Sequence, residues 1–273
     1  MIPRAQITAW RSRAPWPDDD LVEQDLVLSR ALIEIFSHPL LVAQLAFRGG
    51  TALHKLVFES PLRYSEDIDL VQLEAGPIGD IMRAVHDQLD GWLGRPSTRQ
   101  NESGVKLVYA FEAESEPRAR RKLKIEIQTR EHSSVLGLTS TQLAVSNPWF
   151  EGEAAIPIYR PEELLGTKLG ALYQRKKGRD LFDNAQALSQ LDLSTEQIVD
   201  CFQRYTESTP ISRARFEATL AAKIRDPAFT EDIAPLLSPD VDWDLEAGYG
   251  AVSRELIARL PGDPWKGSEQ QGS

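Results

Sequence analysis

Residues 63–70 read Arg63-Tyr64-Ser65-Glu66-Asp67-Ile68-Asp69-Leu70, and the run Asp67-Ile68-Asp69-Leu70-Val71 decides how the front half of the chain is read. Polar and apolar residues alternating with period two specify a strand with one wet face and one buried face. Asp67 and Asp69 then project to the same side, with their carboxylates roughly 6–7 Å apart or closer. At an effective dielectric near 20, two anions at that distance repel by about 2–3 kcal/mol. A divalent cation removes that repulsion, and magnesium takes a few carboxylates together with phosphate oxygens and water. The pair therefore reads as a site for Mg²⁺ and a nucleoside triphosphate. Taken alone, Asp-x-Asp is more often a strand end facing solvent, so the reading depends on its neighbours.

Upstream, the short apolar piece Leu45-Ala46-Phe47 runs through Arg48 into Gly49-Gly50-Thr51, and residues 51–58 read as a helix. A glycine turn between strand and helix lets backbone N–H groups approach phosphate closely, with the helix N-terminus behind them. The same turn serves equally in a chain that only needs to bend. Ser65, two residues before Asp67, can add a hydroxyl to the cradle. Downstream, Lys122-Leu123-Lys124-Ile125-Glu126-Ile127-Gln128 alternates again. Ile125 and Ile127 face one way; Glu126 faces the other, with Lys122, Lys124 and Gln128. Beside the Asp pair, Glu126 can complete the metal site or accept the proton of an attacking hydroxyl.

The rest of the front half carries a helix over about 21–36, capped near Asp18 to Asp20, and another over about 80–93. Strand-like runs cover 105–111 and 123–128. From Pro161 the texture turns helical. Pro161 suits the first helical position, with Glu162 and Glu163 in the first turn, where the dipole favours anions. The spacing predicts a mixed α/β unit over 1–159, a helical unit over 160–262 and a disordered polar tail over 263–273.

The helix over 164–172 carries an anomaly. At about 100° per residue, Lys168 falls roughly 40° from Leu164, inside an arc that also holds Leu165, Leu169 and Leu172. A lysine there must snorkel to water or point at a negative partner, and a triphosphate is one such partner. Arg179-Asp180-Leu181-Phe182-Asp183 restarts an amphipathic helix. Asp180 can cap it, or orient Lys168 or Arg179.

Composition bounds the class. The chain has 273 residues, 41% of them hydrophobic and 26% charged, with a formal net charge of −10. That balance argues against a protein that coats nucleic acid over its whole surface, though not against a local basic groove. Basic residues gather at Arg118, Arg120, Arg121, Lys122 and Lys124, and at Arg175, Lys176, Lys177 and Arg179, which read first as solvated faces. Cys201 is the one cysteine, so no internal disulfide forms, in keeping with a cytoplasmic location. No signal-like apolar run opens the sequence, and no stretch of about 18 apolar residues crosses a membrane. The histidines (His38, His54, His86, His132) show no metal-ligand spacing, which counts against a metallophosphohydrolase.

Taken together, these motifs resemble the AbiEii/AbiGii family of nucleotidyltransferase toxins, which includes the mycobacterial MenT toxins. The resemblance rests on Phe47-Arg48-Gly49-Gly50-Thr51-Ala52-Leu53, on Arg63 to Leu70, on Lys124-Ile125-Glu126-Ile127, and on Lys168 with Arg179 to Asp183, in that order along residues 20–200. It implies an α+β, polymerase-β-like nucleotidyltransferase fold with a helical C-terminal domain. It implies that Asp67 and Asp69 hold Mg²⁺ and that Lys168 and Asp180 match the family's other required positions. It further implies a toxin paired with an antitoxin, some members adding nucleotides to the 3′ end of tRNA and so blocking translation. Gly-Gly-Thr stands where many nucleotidyltransferases have Gly-Ser, which leaves Thr51 or Ser65 to supply the hydroxyl.

The expected reaction is in-line attack of an acceptor hydroxyl on the α-phosphorus of an NTP, with pyrophosphate leaving. Asp67, Asp69 and Glu126 are the expected metal ligands, with Glu126 the alternative base. Gly49, Gly50, Thr51, Ser65, Lys168 and Arg179 are the expected phosphate contacts, with Asp180 holding the cations in place. Two other readings stay open: transfer to a protein or small molecule, and a module that binds NTP or a partner without turnover.

Overall fold

The computed structural model describes residues 2–114 and 120–267. The chain divides into two compact units, Met1–Tyr159 and Arg160–Ser273. The tail expected from residue 263 lies from residue 268 onward outside the described residues, as does Arg118 of the first basic cluster.

In the first unit the order is α1 (Arg4–Trp10), α2 (Asp19–Ser37), α3 (Pro39–Gln44), β1 (Leu45–Arg48) and α4 (Gly49–Ala52), which runs into a π-helical turn over Leu53–Val57. There follow β2 (Asp67–Gln72), α5 (Gly79–Leu93), β3 (Ser97–Asn101), β4 (Gly104–Glu112), β5 (Arg120–Gln128), β6 (Leu138–Asn147) and β7 (Phe150–Tyr159). The strands form one mixed sheet in the order β3-β4-β5-β2-β1-β7-β6. β2 runs antiparallel to β1 and parallel to β5, while β1 runs parallel to β7.

Register is what positions the site. Ile68 pairs with Ile125 and Leu70 with Ile127, and these two isoleucines pair across β4 with Leu107 and Val105. All are buried and form one apolar face. Tyr109 extends it, and its hydroxyl donates to Asp90 of α5 at 2.9 Å. Period two then sends Asp67, Asp69, Lys124, Glu126 and Lys106 to the opposite face.

An internal clamp holds α1 against α2. Buried Asp25 accepts from Trp10 Nε1 at 2.9 Å and Trp16 Nε1 at 3.3 Å. It also pairs with Lys55 of the π turn at 2.8 Å, and Lys55 donates to Ser29 Oγ at 3.0 Å.

The second unit is helical: α6 (Pro161–Gln174), α7 (Gly178–Gln190), α8 (Thr195–Tyr205), α9 (Arg213–Lys223), the short α10 (Pro227–Thr230) and α11 (Leu245–Glu255). Pro161 occupies the first turn of α6, where its missing N–H costs nothing. α6 packs closely on α8: a Cβ at Gly166 would lie 2.6 Å from the Cβ of Cys201. Burial pushes the Cys201 thiol up to about 12.

Candidate active site

Arg48, Asp69, Glu126 and Lys106 are successive cross-strand partners on β1, β2, β5 and β4, and Arg99 of β3 continues the row. One step along β2, Asp67 pairs with Lys124. The sheet thus sets three carboxylates side by side and flanks them with cations. Lys106 forms an ion pair with Glu126. Lys124 Nζ lies 3.2 Å from Asp67 Oδ1 and 3.2 Å from Glu66 Oε1. Burial weighs against the Lys124 charge, but Asp67 and Glu66 outweigh it and hold its pKa above the ordinary lysine value. Arg48 is half-buried and pairs with Glu131 at 2.7 Å. Burial opposes that charge too, and Glu131, Tyr159 and Asp69 together leave its pKa raised.

The glycine turn lies against this row. Gly49 has φ +82°, a left-handed conformation, and its missing Cβ is what makes room for the Asp69 carboxylate, whose Oδ2 would overlap any side chain there. Thr51 is buried, and its hydroxyl donates to the Asp67 carbonyl oxygen at 2.6 Å. Ser65 Oγ lies 2.8 Å from Thr51 Oγ1. A hydroxyl has one proton. With the Thr51 proton given to Asp67, Ser65 donates to Thr51. Thr51 is therefore a brace between the turn and β2, and Ser65 is the hydroxyl able to turn outward.

Among the described residues, no three His, Cys, Asp or Glu side chains converge tightly enough to hold a metal ion. Asp67, Asp69 and Glu126 share a face, but Glu126 is turned to Lys106 and Asp67 to Lys124. The four histidines serve local structure: His38 accepts from Leu40 N at the start of α3, His54 is buried, His86 pairs with Asp90, and His132 contacts the Gln72 carbonyl.

In the second unit, Lys168 does not snorkel. It is 5% exposed and pairs with Asp183 at 2.7 Å and Asp180 at 3.3 Å. Asp180 also takes a two-pronged bond from Arg175, at 2.7 and 2.8 Å. Burial pushes the Asp180 carboxyl up, but Lys168 and Arg175 overcome it and hold its pKa below the usual carboxylate range. Two local expectations change. Asp180 lies inside α7, whose N-cap is Lys177, and its carboxylate is occupied by Lys168 and Arg175. Arg179 is oriented by Asp232, at 3.9 Å, not by Asp180. Lys177 also pairs with Asp232 and Lys176 with Asp226, so the basic run 175–179 is laced to local acids. Arg175 and Asp183 were missed as holders of this cluster, although Asp180 and Asp183, three apart on one helix, already share a face.

The family described as Nucleotidyl transferase AbiEii toxin, Type IV TA system, matches residues 30–251. The chain belongs to the AbiEii family of nucleotidyltransferase toxins. Like the rest of the AbiEii family it is a nucleotidyltransferase, and membership in a toxin–antitoxin family implies an antitoxin partner. Solved structures carry the same fold. MenT4, nucleotidyltransferase toxin Rv2826c from Mycobacterium tuberculosis H37Rv, is 19% identical with TM-score 0.65, over 96% of this chain and 92% of that one. JHP933 from Helicobacter pylori is 15% identical with TM-score 0.51, over 88% of this chain and 92% of that one. A putative nucleotidyltransferase from H. pylori is 17% identical with TM-score 0.51, over 88% and 95%. No curated protein matches. The expected α+β nucleotidyltransferase fold is thus borne out for this AbiEii chain, and no helix among the described residues is long and apolar enough to cross a membrane.

Proposed function

We propose that Asp67 and Asp69, with Glu126, hold magnesium and the triphosphate of an NTP, and that the protein transfers the nucleotide to the 3′ end of tRNA. A nucleotide added there blocks aminoacylation and so translation. The observation that carries this reading is the in-register row of Arg48, Asp69, Glu126 and Lys106, with Asp67 beside it. The donors fit the ion: all are hard carboxylate oxygens, and Asp67 already touches one cation. Bound there, magnesium would neutralise phosphate charge and polarise the α-phosphorus.

The chain's own groups do the rest. Gly49 and Gly50 let the backbone approach a phosphate, and Ser65 turns its hydroxyl toward it while Thr51 keeps the turn fixed to β2. Glu126, released from Lys106, accepts the proton of the attacking hydroxyl or joins the metal ligands. Lys106 and Arg99 extend positive charge along the same row, which suits a polyanionic acceptor. In the second unit, Lys168 and Asp180 are carried as the positions the family motif requires and Arg179 as a further phosphate contact, with Asp180 and Asp183 holding Lys168 Nζ in place. The reading places the protein in the cytoplasm with its RNA substrate.

Incubation with Mg²⁺, each labelled NTP and total RNA tests this directly. The expected result is label at tRNA 3′ ends, reduced at least about a hundredfold to a thousandfold in Asp67→Ala. Equal labelling by both proteins removes the site assignment. Label that appears instead on protein or a small molecule in an RNA-free reaction changes the acceptor and leaves the residue roles in place.

A further inference from the structure

Lys124 is shared between two carboxylates that are not alike. Glu66 is anchored from behind: Gln24 of α2, 1% exposed, donates to Glu66 Oε2 at 3.2 Å and to the Lys122 carbonyl at 3.0 Å. The Tyr64 hydroxyl donates to the same Oε2 at 3.4 Å. Glu66 thus presents its other oxygen, Oε1, to Lys124 in a fixed position. Asp67 is fixed through its backbone by Thr51, but its Oδ1 is buried with Lys124 at 3.2 Å and no hydrogen-bond donor behind it among the described residues. The ammonium therefore has a braced contact on Glu66 and an unbraced one on Asp67, the carboxylate proposed to receive a divalent cation.

We infer that Lys124 is the resident counter-ion of Asp67. With no divalent ion bound, it offsets the repulsion among Asp67, Asp69 and Glu66. When a divalent ion arrives, Lys124 gives up its Asp67 contact and keeps Glu66, so two cations do not compete for one oxygen. Lys124 is thus a positioning residue that acts through Asp67, and Glu66, Gln24 and Tyr64 form its dock. This inference rests on the proposed metal-binding role of Asp67 and Asp69.

Competition has a signature that a purely structural role lacks: deleting the lysine tightens metal binding. The probe is Mn²⁺ alone, titrated into the full chain and followed by the electron paramagnetic resonance of the free ion. Lys124→Gln is expected to bind Mn²⁺ about fivefold tighter than wild type, the worth of a part-exposed ion pair. Lys124→Arg keeps the ion pair and matches wild type. Lys122→Gln removes the same charge from the same strand face without touching Asp67, and changes affinity by less than about twofold. Unchanged or weaker binding by Lys124→Gln overturns the inference, as does equal tightening by Lys122→Gln. Asp67→Asn separates the two levels. If it leaves Mn²⁺ affinity unchanged, the metal site itself is misplaced. If it weakens binding and Lys124→Gln still fails to tighten it, the site stands and the counter-ion role falls.

Discussion

Gly49→Ala tests how the glycine turn and the Asp69 carboxylate fit together. Gly49 opens α4 directly after β1 with φ +82°. An alanine methyl there would overlap Asp69 Oδ2 and come within 3.1 Å of Asp69 Cβ and Cγ. Two separate costs follow. Holding a non-glycine residue in the left-handed region costs about 1–2 kcal/mol. Pushing the Asp69 side chain off its rotamer adds about 0.5–1.5 kcal/mol. The sum, about 1.5–3.5 kcal/mol, is smaller than the 5–15 kcal/mol that typically holds a domain together, so the variant folds. Its melting temperature falls by about 3–14 °C, at about 2–4 °C per kcal/mol for a unit of this size. The larger effect is on placement. Displacing one carboxylate of the pair by about 1 Å is worth about a hundredfold in rate. Gly94→Ala is the control, because Gly94 has φ +73° and nothing within 4 Å of an added Cβ. It carries the backbone cost without the collision, so stability falls and transfer does not. Calorimetry and the labelled-NTP assay on both variants decide the matter. Wild-type transfer by Gly49→Ala, or equal transfer losses in the two variants, would refute the packing of Asp69 against the turn.

Asp25→Ala should cost about 3–5 kcal/mol in urea unfolding, because it leaves Lys55 buried without its carboxylate and removes the acceptor of Trp10 and Trp16. Tryptophan fluorescence should shift with it; a loss under about 1 kcal/mol would mean that the clamp is slack. Asp180 gives a pH test. Its folded pKa is depressed, so its contribution is present above the unfolded value near 3.9 and is lost as pH falls through the folded value. The urea midpoint of the wild type should therefore fall more steeply below about pH 4 than that of Asp180→Asn. The variant should be the less stable of the two at pH 7, and an Asp180-dependent loss beginning near pH 6 would contradict the assigned pairing.

Much of the fold is legible because burial leaves a period. The run 120–128 alternates throughout, burial alternates over 67–70 and 104–109, and α2 and α5 repeat with helical spacing, so each declares itself. The hairpin of β6 and β7 does not. β6, Leu-Thr-Ser-Thr-Gln-Leu-Ala-Val-Ser-Asn, is an edge strand whose residues are mostly wet, and β7 carries Gly152 and Pro157 inside its span. β3 is exposed along its whole length, so no apolar face marks it. The acids of the site could be named from spacing, and Glu126 could be set on a polar face. Their neighbours could not, because Lys106 meets Glu126, and Glu66 meets Gln24, only through contacts between distant parts of the chain. Lys168 shows the same limit. Its place on an apolar stripe demanded a negative partner, and the partners turned out to be Asp180 and Asp183 of the next helix.

Register explains why the polar face takes this form. A slip of one residue between β2 and β5 would put Glu126 on the face of Ile68 and Leu70, an unpaired buried charge. Apolar alternation therefore forbids odd slips but not even ones. Moving β5 by two residues one way would set Glu126 beside Asp67, while moving it the other way would set Lys122 beside Asp67 and Lys124 beside Asp69, so charge pairing alone does not select the observed register. That register places Asp69 directly beside Glu126, a like-charge neighbour that ordinary sheet chemistry avoids. Arg48 and Lys106 flank that pair and soften the repulsion without removing it. The same row holds a second like-charge neighbour, Lys106 beside Arg99, so the charge rule is broken twice on this face, and the anionic break is the one that a bound cation would resolve.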